Sequence, residues 1–145
     1  MRKAAGFTLL EIIIVLAIGA VIYTLILGVP LRGGTSADLK AAARSLASGL
    51  REAQTTAMAT RRDASLVIDL DARQFTIAGD KRARKLPDGI ELKLDTAESE
   101  VAGEHRGGIR FYPDGSSTGG RITVSAGERK YLVDVDWLTG RVSIE

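Results

Sequence analysis

A chain of 145 residues, 45% hydrophobic and 26% charged, has room for one membrane helix and one domain of about 110 residues with a modest core. It has no cysteine, which excludes a disulfide framework and any thiolate metal site. The net charge is only +2, and Arg2 with Lys3 supplies that excess, so the basic pI is no footprint of nucleic acid binding, which gathers Lys and Arg on one face.

The chain opens MRKAAGFTLLEIIIVLAIGAV. A secretory signal has a basic start and then an apolar stretch of about 7 to 15 residues before a small-x-small cleavage site. Here no charge appears from Ile12 to Leu31, roughly the 20 residues that cross a hydrocarbon core as a helix. The small-x-small triplet Ala17-Ile18-Gly19 lies inside that run, where a cleavage site does not belong. A membrane anchor fits better. Glu11 is then the one polar residue placed at real cost, because a carboxylate inside a membrane helix costs about 2.5 to 3.5 kcal/mol near the centre and usually has a partner.

Pro30, Gly33 and Gly34 interrupt the helical pattern. Thr35, with Asp38 three residues on, opens a second helix with a capping-box-like start. Leu39, Ala43, Leu46, Leu50, Ala53 and Ala57 then recur at helical spacing, while Lys40, Arg44, Arg51 and Arg61 fall elsewhere, so one face must pack on something.

From Ala64 the period becomes two. Leu66, Ile68 and Leu70 share a face, and Phe75 and Ile77 follow a turn-like Asp71-Ala72-Arg73, which makes a hairpin. Ile90, Leu92 and Leu94 follow Pro87-Asp88-Gly89, and Ile109 with Phe111, then Ile122 with Val124, repeat the alternation. Tyr131 to Trp137 reads as the longest strand, and Val142 with Ile144 closes the chain after Thr139-Gly140. The expected fold is α+β, a helix on an antiparallel sheet. Thr96 to Gly108 reads as a polar surface loop.

The candidate chemistries each meet a plainer reading. Gly115 to Gly119, GSSTG, matches the nucleophile elbow, but that motif needs a helix after it, and the strand-like RITVSA follows. The sole histidine, His105, precedes Ser117, against the order of that fold, so GSSTG is read as a turn. The same glycines lack the Lys-Ser/Thr of a phosphate loop. Asp134 and Asp136 are expected on one exposed strand face without a calcium loop, His105 on the surface, and Trp137 and Tyr131 in or beside the core. No catalytic constellation, cofactor or metal site emerges, and an enzyme is not expected.

The stretch RKAAG/FTLLEIIIVLAIGAV resembles the type IV pilin and pseudopilin superfamily, with Gly6 before Phe7 and a glutamate, Glu11, at the fifth position after it. The order of strands, the segment Ile109 to Gly120 and the ending VDWLTGRV look like the H-type minor pseudopilins of type II secretion. The resemblance implies a leader at 1–6, a transmembrane and filament-core helix at 7–31, an amphipathic helix at 32–62 and a periplasmic β-rich domain at 63–145. It implies cleavage between Gly6 and Phe7 by a prepilin peptidase, N-methylation of Phe7, and an assembly role for Glu11 against the amine of a neighbouring subunit. The implied partners are the major pseudopilin, the other minor pseudopilins of the tip complex, the inner-membrane assembly platform and, before assembly, membrane lipid; no nucleic acid is expected. The implied role is a structural subunit near the pseudopilus tip, in the inner membrane with its C-terminal domain periplasmic. A minor pilin of a type IV pilus, in pilus assembly or DNA uptake, is the alternative.

Overall fold

The computed structural model describes residues 8–27, 35–97, 100, 101, 103 and 105–145, with the backbone alone at 24–27. Two compact units divide the chain, 1–31 and 32–145. In the first, α1 (Leu9–Leu27) carries one charged residue, Glu11, in an otherwise mainly apolar sequence. Its 19 residues rise about 28 Å at roughly 1.5 Å each, a little short of a hydrocarbon core of about 30 Å. Among the described residues no helix is long and apolar enough to cross a membrane. The expected 7–31 helix begins and ends outside the described residues, as does the Pro30-Gly33-Gly34 interruption.

In the second unit, α2 (Ser36–Thr60) begins as its sequence requires. Thr35 Oγ1 accepts from the Asp38 amide at 3.1 Å, and the Thr35 amide donates to Asp38 Oδ2 at 3.0 Å, so two of the amides left over at a helix start are satisfied reciprocally. The helix stops where Arg61 turns left-handed at φ 54° and returns its amide to the Ala57 carbonyl. All six residues of the predicted apolar face are buried, and Ala42, Ala47 and Gly49 join them. Gly49 marks the closest approach to the strands, since a Cβ there would lie 2.7 Å from Phe75 Cε2 and 2.9 Å from Leu66 Cδ1.

The strands form two antiparallel four-stranded sheets. The first has the order β3 (Arg84–Lys85), β2 (Gln74–Ile77), β1 (Ala64–Asp69), β5 (Arg106–Phe111); the second has β4 (Glu91–Thr96), β6 (Gly120–Ala126), β7 (Arg129–Val135), β8 (Val142–Ile144). The predicted hairpin of β1 and β2 is present, with Leu66 opposite Ile77 and Ile68 opposite Phe75. A single expected sheet is thus replaced by two, both packed on α2. The division occurs after Phe111. β5 pairs with β1, whereas β6, only nine residues on, pairs with β4 and β7.

At the seam the two sheets touch through their edge strands. Thr96 Oγ1 on β4 donates to the Gly108 carbonyl on β5 at 2.7 Å, and Leu94 packs over Gly107, where a Cβ would fall 2.8 Å from its Cδ2. Gly108 has no room for a side chain either, its Cβ position lying 2.8 Å from the Leu66 carbonyl oxygen. Alternation yields one continuous core: Leu46, Leu50, Leu66, Phe75, Ile109, Phe111, Val124 and Val133 are all fully buried, each worth about 1.5 to 3 kcal/mol of transfer free energy.

Three local expectations are corrected. The strand read as Tyr131 to Trp137 ends at Val135, so Asp136 leaves the face of Asp134 and enters a turn. Trp137 is 66% exposed and belongs to neither core nor edge, while Tyr131 packs half-buried against the core as expected. The loop read as Thr96 to Gly108 is shorter, because Thr96 closes β4 and Arg106 opens β5; Leu70, just past the end of β1, packs against the core as its alternation required.

Candidate functional site

Two places carry the residues that the sequence singled out. The first is the start of α1. Gly6 and Phe7 lie outside the described residues. Thr8 stands at the helix start, its Oγ1 accepting from the Glu11 amide at 3.3 Å and its carbonyl accepting from the amides of Glu11 and Ile12. Glu11 is exposed beside Ile12, Val15 and Leu16, which form a shallow apolar concavity with it. Its carboxylate has no hydrogen-bond or ion-pair partner among the described residues. The neighbouring Leu9, Leu10, Ile12, Ile13, Ile14, Val15 and Leu16 are all about half exposed or more. A helix that is apolar all round is buried in something, protein or lipid, and a carboxylate within it requires a cationic or protonated counterpart from elsewhere.

The second place is where the 112–119 loop, the 136–140 turn and the C-terminal half of α2 meet. Ser117, the serine of the GSSTG motif, is buried; its Oγ donates to the Asp136 carbonyl at 3.0 Å and accepts from the Gly119 amide at 3.0 Å. The Ser117 amide bonds the Trp137 carbonyl at 2.8 Å. This hydroxyl holds two loops together and has no base beside it. His105 instead meets Asp71 at 3.0 Å on the surface. The turn reading of GSSTG therefore stands, and its location is a crossing between the sheets.

Asp134 pairs with Arg121 on the neighbouring strand. Asp136 builds the turn: its Oδ1 accepts from the amides of Leu138 and Thr139 at 3.0 and 2.8 Å and from Thr139 Oγ1 at 2.9 Å. The amide of Thr139, then its hydroxyl, hold the Asp136 carboxyl below the usual carboxylate range, because hydrogen bonds to the charged form favour it. Among the described residues no three His, Cys, Asp or Glu side chains gather as a metal site.

Gln54 was missed in the sequence. Its Nε2 donates to the carbonyls of Gly115 at 2.8 Å and Thr139 at 3.2 Å, and Arg51 Nη2 reaches the Val142 carbonyl at 3.1 Å. The available signal was Gln54 four residues after Leu50 and adjacent to Ala53, a polar side chain bordering an apolar face. Gly140, at φ 63°, sits against Gly115 and Gln54 so closely that a Cβ would overlap both. These contacts present the side chains of Trp137 and Leu138, 66% and 63% exposed, on a turn whose polar groups are spent internally. The arrangement can present surfaces and bind a partner; it contains no acid, base and nucleophile set.

Comparison with known proteins shows the family. The type II transport protein GspH family matches residues 42–139, and the prokaryotic N-terminal methylation motif matches residues 1–27. Type II secretion system protein H of Xanthomonas campestris pv. campestris is 32% identical over 141 residues, covering 97% of this chain and 83% of that protein. Among solved structures, the type IV minor pilin FimU of Pseudomonas aeruginosa superposes with a TM-score of 0.57 at 17% identity, over 73% of this chain and 91% of that one. The minor pseudopilin EpsH of Vibrio cholerae gives 0.56 at 18% identity, over 74% and 96%. At such identities the two structures speak for the fold, and the sequence relationships speak for the family. The chain belongs to the type II transport protein GspH family, and is an H-type minor pseudopilin of type II secretion.

Proposed function

We propose that this minor pseudopilin is anchored in the inner membrane by residues 7–31, with residues 63–145 in the periplasm, and enters the pseudopilus near its tip. It would lie between the tip complex of minor pseudopilins and the major pseudopilin, and export of folded proteins would depend on it structurally. A prepilin peptidase would cut between Gly6 and Phe7 and methylate the Phe7 amine. The observation that carries this reading is Glu11, one carboxylate on an otherwise mainly apolar helix. In lipid it is costly; beside the Phe7 amine of a neighbour, two charges neutralise one another.

The test replaces Glu11 by Leu and by Asp and follows membrane level, cleavage and crosslinking to the major pseudopilin. Glu11→Leu should insert and be cleaved normally yet crosslink poorly, because an unpaired amine in an apolar setting costs several kcal/mol. Glu11→Asp should retain part of the crosslinking. Normal crosslinking and secretion by Glu11→Leu would refute the pairing. The alternative, a minor pilin of a type IV pilus, would have the same fold, which FimU shares, and neighbouring pilus genes in place of secretion genes would favour it.

A further inference from the structure

β8 is an edge strand of the second sheet, and its backbone bonding alternates residue by residue. Leu132 and Glu145 exchange both backbone hydrogen bonds, at 2.8 and 2.9 Å, and the Asp136 amide bonds the Arg141 carbonyl at 3.0 Å. Bonded and non-bonded pairs alternate along an antiparallel ladder, so Arg141, Ser143 and Glu145 face β7, while Val142 and Ile144 turn their amides and carbonyls outward. Arg51 Nη2 on α2 takes the Val142 carbonyl at 3.1 Å. The Val142 amide and both backbone groups of Ile144 have no partner among the described residues, and Ile144 is 38% exposed. The Arg51 contact also fixes which side of α2 borders this edge. Lys40 and Arg44 lie within about 20° of Arg51 around the helix at roughly 3.6 residues per turn. All three are exposed, and neither Lys40 nor Arg44 has a hydrogen-bond or ion-pair partner among the described residues.

We propose that an extended, acidic segment of another protein chain adds to β8 as a further strand, with its carboxylates meeting Lys40, Arg44 and Arg51. The outward amides and carbonyls supply the ladder, as unpaired strand edges do. Strand alternation then turns every second side chain of the segment toward α2, where the cations select its charge. Past the end of β8, where β7 pairs with β6 alone, a groove of about 470 Å³ is lined by Ser36, Leu39, Arg129, Lys130 and Tyr131 and extends the basic border. The carboxylates on the surrounding elements are engaged or turned elsewhere. Asp38 closes the capping box, Glu52 binds Arg84 of the first sheet, Glu145 lies with Arg121 and Asp134 on the outer face, and Glu128 is in the turn between β6 and β7. A second copy of this chain is the wrong occupant, because pairing β8 with β8 would bring like cations together.

The test needs no filament, so it stands or falls apart from the reading of Glu11. Fluorescein-labelled Glu-Val-Glu-Val-Glu-Val is titrated with full-length protein in mild detergent and followed by anisotropy. Beside it run the same peptide with every backbone amide N-methylated, which keeps the charge but cannot donate to a ladder, and Lys-Val-Lys-Val-Lys-Val. The acidic peptide should bind saturably and the other two should not. Ile144→Pro removes an amide that points away from β7, so circular dichroism should show the fold retained while binding is lost, because proline blocks pairing at a free edge. Arg44→Gln should weaken the acidic peptide about two- to five-fold, the worth of one exposed ion pair. No saturable binding, equal binding of the N-methylated or the lysine peptide, an affinity that either variant leaves unchanged, tighter binding of a thymidylate hexamer, or self-association that Ile144→Pro abolishes would overturn the proposal.

Discussion

Replacing Gly140 by alanine tests the junction that holds the Trp137 turn. At φ 63° a residue with a Cβ pays a left-handed penalty, about 1 to 2 kcal/mol. The new Cβ would also overlap the Gly115 carbonyl oxygen and Gln54 Nε2, so the 136–140 turn has to move off the helix. That movement breaks the two bonds from Gln54 to Gly115 and Thr139, each worth about 1 kcal/mol net. The expected loss is about 3 to 4 kcal/mol, or roughly 10 to 20 °C in Tm for a domain of this size. Gly127 provides the matched control: its φ is 61° but a Cβ there meets nothing within 4 Å, so Gly127→Ala should lose only the backbone penalty of about 1 to 2 kcal/mol. Thermal and denaturant unfolding of the full chain in detergent measure both. If Gly140→Ala costs no more than Gly127→Ala, the three-way junction does not hold the turn and the reasoning fails.

Gly49→Ala pits local preference against packing: helix propensity favours alanine by about 1 kcal/mol, but its Cβ would press on Phe75 and Leu66, and overpacking costs about 1 to 3 kcal/mol. Unfolding should show a net loss, and a gain in stability would contradict the contact. The carboxyls of Asp38, Asp114 and Asp136 are held below their ordinary range, Asp38 and Asp114 first by the hydroxyls of Thr35 and Ser116, Asp136 first by the Thr139 amide. A depressed carboxyl adds stability above its unfolded pKa and loses it as pH falls through the folded one. Denaturation midpoints should therefore hold from neutral pH to about 5 and decline below about 4, less steeply in Asp136→Asn; a midpoint that rises on acidification would contradict the assignment.

Much of the architecture was legible because it is local. The capping box at Thr35 and Asp38 needs only residues three apart, and the buried face of α2 follows from a period of 3.6. The alternation at Leu66, Ile68, Phe75, Ile122 and Val124 places each on the inner side. The likeness of the N-terminal stretch rests on contiguous residues as well, so Gly6, Phe7 and Glu11 could be named without a fold. Alternation, however, states which side of a strand is buried and not which strand lies beside it. That choice is made by non-local backbone pairing, so the division into two sheets after Phe111, with Gly107 and Gly108 at the seam, emerged only when β5 met β1 and β6 met β4. Trp137 continued a period-two pattern and was read as lying in or beside the core, but Asp136 captures the amides of Leu138 and Thr139 and the strand ends two residues earlier, at Val135, leaving the ring exposed. Gln54 reaches Gly115 and Thr139 across 61 and 85 residues of chain, and no sequence period encodes that contact, since tertiary packing alone makes those segments neighbours.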